Sequence, residues 1–435
     1  MADIKSGIET AGKVAKVITD VAAVTGGINI RAGANQHKVG ALLKRNKIKP
    51  IGRVCEVQGK MSGFWSACGF EINLCANSDC SLRLLCETND IVYLAVYVDG
   101  VKQERANAIT AEMGDLYVAL EKGEHTVRIV RDTQINKEAD KYFYYCLIEF
   151  DGKILKRPFD NEFYIEIIGD SIACGDGALG VYEEGKAWKN PEDHSAVAGF
   201  AYKLAEDLCA DYSIVARGGI GLLKDNSGSQ ESEKKELRTT MQDIYGFTNG
   251  YFDMERKQNR YKFRRKPDLI ILELSGNDIT AKEDEWKACV EDFIKTIRKE
   301  NGKSVPIIWS GRNKIHAETI NTIIEEGKIK NFYACKYLYG GSGSAALTTQ
   351  KSGHPSAAEQ TEISDNLLKF INSNGLLKRE NVEVTITDEQ EKIKARNKKI
   401  TVGTIVGAIA ITGAAVAAIT IIKKKSKKIN KEKDL

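Results

Sequence analysis

Proline is scarce, six residues in 435, and the thirty-eight glycines follow no repeat. A fibrous or low-complexity chain is therefore excluded. There is no CxxC pair, and the five histidines (His37, His125, His194, His316, His354) have no cysteine at ligand spacing. No metal site is expected on that count. Five of the ten cysteines (Cys55, Cys68, Cys75, Cys80, Cys86) stand in or beside strand-like segments where Val or Ile would serve. They read as free thiols packed as small apolar side chains, not as a disulfide framework. Excess charge is also missing: the net is +4, with lysines gathered at the C-terminus, so no nucleic-acid partner is indicated. Nor is a secretory signal visible. The longest uncharged run near the start, residues 21–30, is short, holds Gly26-Gly27 and lacks a small-residue cleavage pattern.

What the chain does have is a period that changes along its length. Ile4, Ile8, Val14, Ile18 and Val21 are close to helical spacing, so residues 1–49 read as an amphipathic helix ahead of the first domain. From Pro50 the pattern becomes period two, in runs at 69–75, 81–86, 91–98, 116–120, 125–130 and 143–150. Asp99-Gly100 between Val98 and Val101 is a hairpin signal, and many short strands at even spacing predict an all-β sandwich over residues 50–157.

After Pro158 strands and helices alternate. Strands are expected at 163–168, 212–216, 268–274, 305–309 and 332–338, and helices at 196–209, 283–300, 317–326 and 356–372. That alternation predicts an α/β domain over 158–376 with a parallel sheet covered on both faces. A polar linker (377–399) leads to residues 400–422, which carry no charge. At 1.5 Å per residue this run exceeds the roughly 30 Å of bilayer hydrocarbon, and it predicts a single C-terminal transmembrane helix. Gly403/Gly407 and Gly413/Ala417 are small pairs that permit self-association of such a helix. Seven lysines in the tail 423–435 place the C-terminus in the cytoplasm and the globular part outside. The basic flank at 392–399 and the missing signal equally suit a tail-anchored protein facing the cytosol.

Four stretches of the α/β region carry chemistry. Ser171 follows the apolar run 164–168 through Gly169-Asp170, where a tight turn would hold a hydroxyl at the carboxyl end of the sheet. Residues 216–221 (ARGGIG) end a second strand and offer backbone N–H donors. Leu274-Ser275-Gly276-Asn277-Asp278 ends a third and offers a side-chain amide. His354-Pro355 opens the last helix and offers a general base. A nucleophile, a base and two or three donors for a tetrahedral anion are the parts that ester hydrolysis by a serine requires.

The order GDS…G…ND…HP resembles the SGNH/GDSL hydrolases. The two-domain layout resembles carbohydrate esterase family 2 more narrowly, through Gly52-Arg53-Val54, Phe64-Trp65-Ser66 before Gly69-Phe70-Glu71, Thr240-Met241 with Tyr245, and Lys266-Pro267-Asp268. The resemblance covers residues 52–376. It implies a jelly-roll domain followed by a three-layer, flavodoxin-like SGNH hydrolase domain, with Ser171 as nucleophile and His354 as base. It further implies an oxyanion hole from the Ser171 and Gly219 N–H groups and the Asn277 amide, with no metal or organic cofactor. The position three before the histidine is Lys351, and no Asp or Glu lies between Lys336 and Gly353. The resemblance thus implies a Ser–His dyad whose imidazole is oriented by the carbonyl of Thr349, Gln350 or Lys351. The implied activity is removal of acetyl groups from polysaccharide or oligosaccharide, with Trp65, Tyr245 and Trp309 as candidates for stacking on sugar. The alternatives are a lipid esterase or thioesterase using the same site, and a non-catalytic, membrane-tethered glycan-binding protein.

Overall fold

The computed structural model describes residues 35–134, 141–180, 191–223, 240–249, 260–263, 265–274, 276–278, 281–311, 314–336 and 354–377. The expected membrane span at 400–422, all but the first residue of the linker before it and most of the expected N-terminal helix lie outside those residues. Among the described residues no helix is long and apolar enough to cross a membrane.

The first domain begins with β1 (Asn35–Lys38), α1 (Val39–Lys44), β2 (Lys49–Ile51), β3 (Cys55–Val57) and β4 (Lys60–Ser62). The longer strands follow: β5 (Gly69–Ala76), β6 (Cys80–Thr88), β7 (Leu94–Val98), β8 (Val101–Lys102), β9 (Asp115–Leu120), β10 (Gly123–Arg131), β11 (Phe143–Phe150) and β12 (Gly152–Ile154). They make two antiparallel sheets. One runs β3-β4-β11-β6-β9 with β1 on β11, and the other β12-β5-β10-β7-β8 with β2 on β5. Alternate residues such as Ile72, Leu74, Leu82, Leu84, Val127 and Ile148 point between the sheets and are fully buried. The Asp99-Gly100 turn joins β7 to β8 with both residues at positive φ, 52° and 80°, as a type I′ hairpin demands.

The expected start of this domain at residue 50 is corrected. β1 pairs along β11, and α1 buries Val39 and Leu42 in the sandwich core, so the fold begins no later than Asn35. The strand Asn-Gln-His-Lys has no apolar alternation and gains its pairing only from its neighbour. All ten cysteines are free thiols.

The second domain contains β13 (Tyr164–Gly169), α2 (Phe200–Asp207), β14 (Asp211–Ala216), the short α3 (Met241–Ile244) and β15 (Leu269–Glu273). It continues with α4 (Glu283–Asn301), β16 (Ile307–Gly311), α5 (Lys314–Glu325), β17 (Phe332–Lys336) and α6 (Ala357–Ser373). The five strands are parallel in the order β14-β13-β15-β16-β17. Successive residues of β13 serve opposite faces: Ile165 and Ile167 join Phe200, Leu204, Ile363 and Leu367 of α2 and α6, while Ile168 joins Trp286, Phe293 and Ile320 of α4 and α5. Burial on both faces explains the unbroken apolar reading of this strand and gives the three expected layers.

The two domains share their cores. Ala67, Ala95 and Val130 of the sandwich pack with α2 and α6, and Phe64, Trp65 and Cys68 pack with the α4 side. Arg53, fully buried, donates to Glu166 Oε1 on β13 at 2.8 Å. Burial alone would lower the Arg53 pKa, but Glu166 and the neighbouring Tyr245 and Tyr261 raise it above its ordinary value.

Candidate active site

Parallel register brings the chemistry to one edge. Gly169 at the end of β13 is level with Ala216 of β14 and Glu273 of β15. The segments that follow these three strands carry Ser171, Gly219 and Asn277, so they emerge together at the carboxyl end of the sheet, at the switch point of a 2-1-3-4-5 order.

Ser171 opens a compact turn. The Asp170 carboxylate accepts the Ile172 N–H at 3.0 Å, and the Ser171 carbonyl accepts the Asp176 N–H at 3.0 Å. Gly175 in this turn has φ 71°, and a Cβ there would stand 2.0 Å from the Ser195 carbonyl oxygen, so only glycine fits.

His354 comes 183 residues later, yet its Nε2 lies 2.8 Å from Ser171 Oγ. Two ties set that distance. The Ala357 N–H donates to the Ala178 carbonyl at 3.0 Å, which joins the start of α6 to the serine turn. Gln360, fully buried one turn into α6, donates to the Ile172 carbonyl at 3.1 Å and accepts the Phe200 N–H at 2.9 Å. A capping box of Ser356 and Glu359 fixes where the helix begins. Residues 349–351, expected to orient the imidazole, and Ser275, expected in the loop before Asn277, lie outside the described residues.

The loop after β14, which carries the expected donor Gly219, is held by a clasp of hydrogen bonds. The Arg217 N–H donates to the Gly169 carbonyl at 3.3 Å and the Gly218 N–H to Gln134 Oε1 at 2.8 Å. Asn277 Nδ2 holds the Ile220 carbonyl at 2.8 Å, and the buried Asp278 carboxylate accepts the N–H groups of Leu222 at 2.7 Å and Leu223 at 3.3 Å. His316 in turn meets the Asp278 carbonyl through Nε2 at 3.1 Å and lies 4.0 Å from the Trp286 ring. Gly219 sits in the middle of this loop with φ 76°, and its N–H makes no hydrogen bond among the described residues; the same is true of the Ser171 N–H. Asn277 Nδ2 also approaches Asp170 Oδ2 at 3.2 Å. The structure therefore brings Ser171 and His354 into contact and sets Asn277 against Asp170, the residue preceding the serine.

The three aromatics expected to stack on sugar are corrected. Trp65, Tyr245 and Trp309 are 1%, 0% and 3% exposed, and stacking needs an open ring face. Trp65 packs edge-on against Phe64 and Trp309 against Trp286. Tyr245 donates its hydroxyl to Glu166 at 2.7 Å and lies under the Arg53 guanidinium. Sequence reasoning missed Gln134, Asp278 and Gln360. Asp278 had a signal in its place beside Asn277; the glutamines had none. Among the described residues no cluster of three His, Cys, Asp or Glu side chains is arranged to hold a metal ion.

The fold has known counterparts. A family two carbohydrate esterase from Clostridium thermocellum, solved with cellohexaose, superposes with a TM-score of 0.61 at 20% identity, covering 76% of this chain and all of that one. An acetyl xylan esterase from the rumen bacterium Butyrivibrio proteoclasticus gives 0.65 at 21% identity, over 80% of this chain and all of that one. The chain has the family-two carbohydrate esterase fold. In sequence, the chain is 26% identical over 151 residues to the Cellulase/esterase CelE of Acetivibrio thermocellus, a match spanning 34% of this chain and 17% of that protein. A salicylyl-acyltransferase from a tetracycline biosynthetic pathway shares the family-two fold more distantly, with a TM-score of 0.56 at 11% identity. No family model matches the chain.

Proposed function

We propose that the protein is a serine-dependent carbohydrate O-acetyl esterase, and the 2.8 Å contact between His354 Nε2 and Ser171 Oγ carries that reading. Ser171 Oγ attacks the acetyl carbonyl carbon while its proton passes to His354 Nε2. The carbonyl oxygen becomes an oxyanion that receives the Ser171 and Gly219 N–H groups and one hydrogen of Asn277 Nδ2, which leaves its longer bond to Asp170. Donors of this kind typically contribute about 2.7–4 kcal/mol each. The intermediate collapses and expels the sugar oxygen, which takes the proton from His354. Water then gives a proton to the same nitrogen and attacks the acetyl-enzyme, and acetate departs with Ser171 restored. The chemistry needs no cofactor.

The substrate class comes from the resemblance of fold and sequence to carbohydrate esterases. An acetylated polysaccharide of the xylan type is the one to assay first. Residues 400–422 would hold the enzyme at a membrane as a single helix, with the catalytic domain on the outer side, where such polysaccharides lie. The test compares wild type with Ser171→Ala on p-nitrophenyl acetate and on acetylated xylan. Release of acetate by wild type alone supports the reading. Equal background rates sink the catalytic claim, and a preference for long acyl chains sinks the acetyl one.

A further inference from the structure

The last residues of β10 and the stretch beyond it, Arg131-Asp132-Thr133-Gln134, leave the sandwich and reach the catalytic edge of the other domain. The Arg131 guanidinium, fully buried, fixes this stretch by donating to the carbonyls of Thr133 at 2.7 Å, Gln134 at 3.0 Å and Gly63 at 3.2 Å. Asp132 accepts the Ser195 hydroxyl at 2.8 Å and the Val197 N–H at 3.0 Å. The Gln134 side chain then spans two loops of the α/β domain. Its Oε1 accepts the Gly218 N–H at 2.8 Å, and its Nε2 donates to Asp176 Oδ2 at 2.6 Å. Asp176 belongs to the serine turn, and Gly218 immediately precedes the proposed donor Gly219. A Cβ on Gly218 would lie 2.8 Å from Asp176 Oδ2 and 2.9 Å from Gln134 Oε1, so the glycine leaves room for the carboxamide to lie across it.

We propose that Gln134 of the β-sandwich is a positioning residue for the esterase site, locking the Gly218–Gly219 turn to the serine turn so that the Gly219 N–H meets the acyl oxygen. The inference rests on the esterase reading above. A carboxamide suits the task because one end must accept from an N–H while the other donates to a carboxylate. Among the described residues the titratable and charged groups at this point include Asp176, His194 and Arg105 behind it, Arg131, which holds the backbone of Gln134, and the buried Arg217, which immediately precedes Gly218. His194 Nδ1 accepts the Gly177 N–H at 3.0 Å, and burial, aided by Arg105, pushes its pKa down to about 4. It is neutral near pH 7, so its 3.5 Å approach to Asp176 is not an ion pair there.

The experiment uses full-length wild type, Ser171→Ala, Gln134→Ala and Gln134→Glu, each checked for an unchanged melting transition, with p-nitrophenyl acetate as the probe. Removing an oxyanion donor outright costs about 10²–10³ in kcat, so loosening one predicts a loss of about tenfold to a hundredfold for Gln134→Ala, with KM changed less than about threefold. Gln134→Glu sets a second carboxylate against Asp176 and should be as slow near neutral pH. Once protonated, the introduced carboxyl group would regain a donor for Asp176 and an acceptor for Gly218. The rate of this variant, divided by the wild-type rate at each pH to remove the titration of His354, should therefore rise as pH falls. A general structural defect would leave that ratio flat. A flat ratio, or a Gln134→Ala enzyme with wild-type kcat, overturns the inference while leaving the esterase intact. A wild type no faster than Ser171→Ala overturns both.

Discussion

Gln360 ties α6, which begins just after His354, to the turn that carries Ser171, and its replacement by leucine tests how the site is held. The leucine keeps the volume and loses both polar ends. The Phe200 N–H then has no acceptor; the N-cap of α2 is Gly199, which has no side chain to offer, so Gln360 supplies the cap from another helix. Losing a cap costs about 0.5–2 kcal/mol. The Ile172 carbonyl loses one of its two donors and keeps the Gly175 N–H at 3.1 Å, so the loss is that of one hydrogen bond, about 0.5–1.5 kcal/mol. Together these predict a destabilisation of about 1–3.5 kcal/mol, partly offset by the apolar gain of leucine. Ile172 is next to Ser171 and Gln360 six residues from His354, so the 2.8 Å contact should loosen as well. Misplacement of reacting groups by about 1 Å can cost about a hundredfold. Gln360→Leu should therefore lower both the thermal midpoint by calorimetry and kcat on p-nitrophenyl acetate by about tenfold or more. A variant within about 0.5 kcal/mol of wild type and with full kcat would refute the view that this side chain joins α6 to the serine turn.

Glu166→Gln removes the partner of the buried Arg53 guanidinium and should destabilise by about 3–5 kcal/mol in denaturant titration. Arg53 remains charged there and spans both domains, so the sandwich and α/β transitions should shift together. His194 has its folded pKa lowered to about 4 from the 6.5 of a free histidine, so the unfolded chain binds the extra proton between those values. Stability from this group is thus complete above about pH 6.5 and lost as pH falls towards 4, by about 3 kcal/mol in all. His194→Gln, which can still accept the Gly177 N–H, should flatten that acid limb of the thermal midpoint. Gly218→Ala should slow p-nitrophenyl acetate hydrolysis by about tenfold or more, because its methyl group would displace the Gln134 carboxamide.

The five strands and four longer helices of the α/β domain were legible because burial on two faces writes continuous apolar runs, as in β13, and because α4 and α6 carry clear helical periodicity; the single turn of α3 was not. The Asp99-Gly100 hairpin was legible from local turn chemistry alone. β1 to β4 were not, since three- and four-residue strands carry too few positions for a period. Ser171 and His354 could be read as chemical groups at element ends, whereas the ties that set their separation run through Ala178, Ile172 and Gln360, which nothing local distinguishes. The aromatics misled for a physical reason. Tryptophan and tyrosine serve cores and sugar sites alike, and only burial separates the two uses. Gln134 lay in the wrong domain for any reading of the catalytic segment to reach it.

The central claim is that His354 makes Ser171 a nucleophile. It is tested most directly by treating the protein with an activated phosphonate ester and locating the adduct by mass spectrometry of the digested chain. One phosphonyl group on Ser171, formed about a hundredfold or more slowly in His354→Ala and absent in Ser171→Ala, is the predicted result. Labelling at another residue, or labelling of Ser171 at the same rate without the histidine, would contradict it.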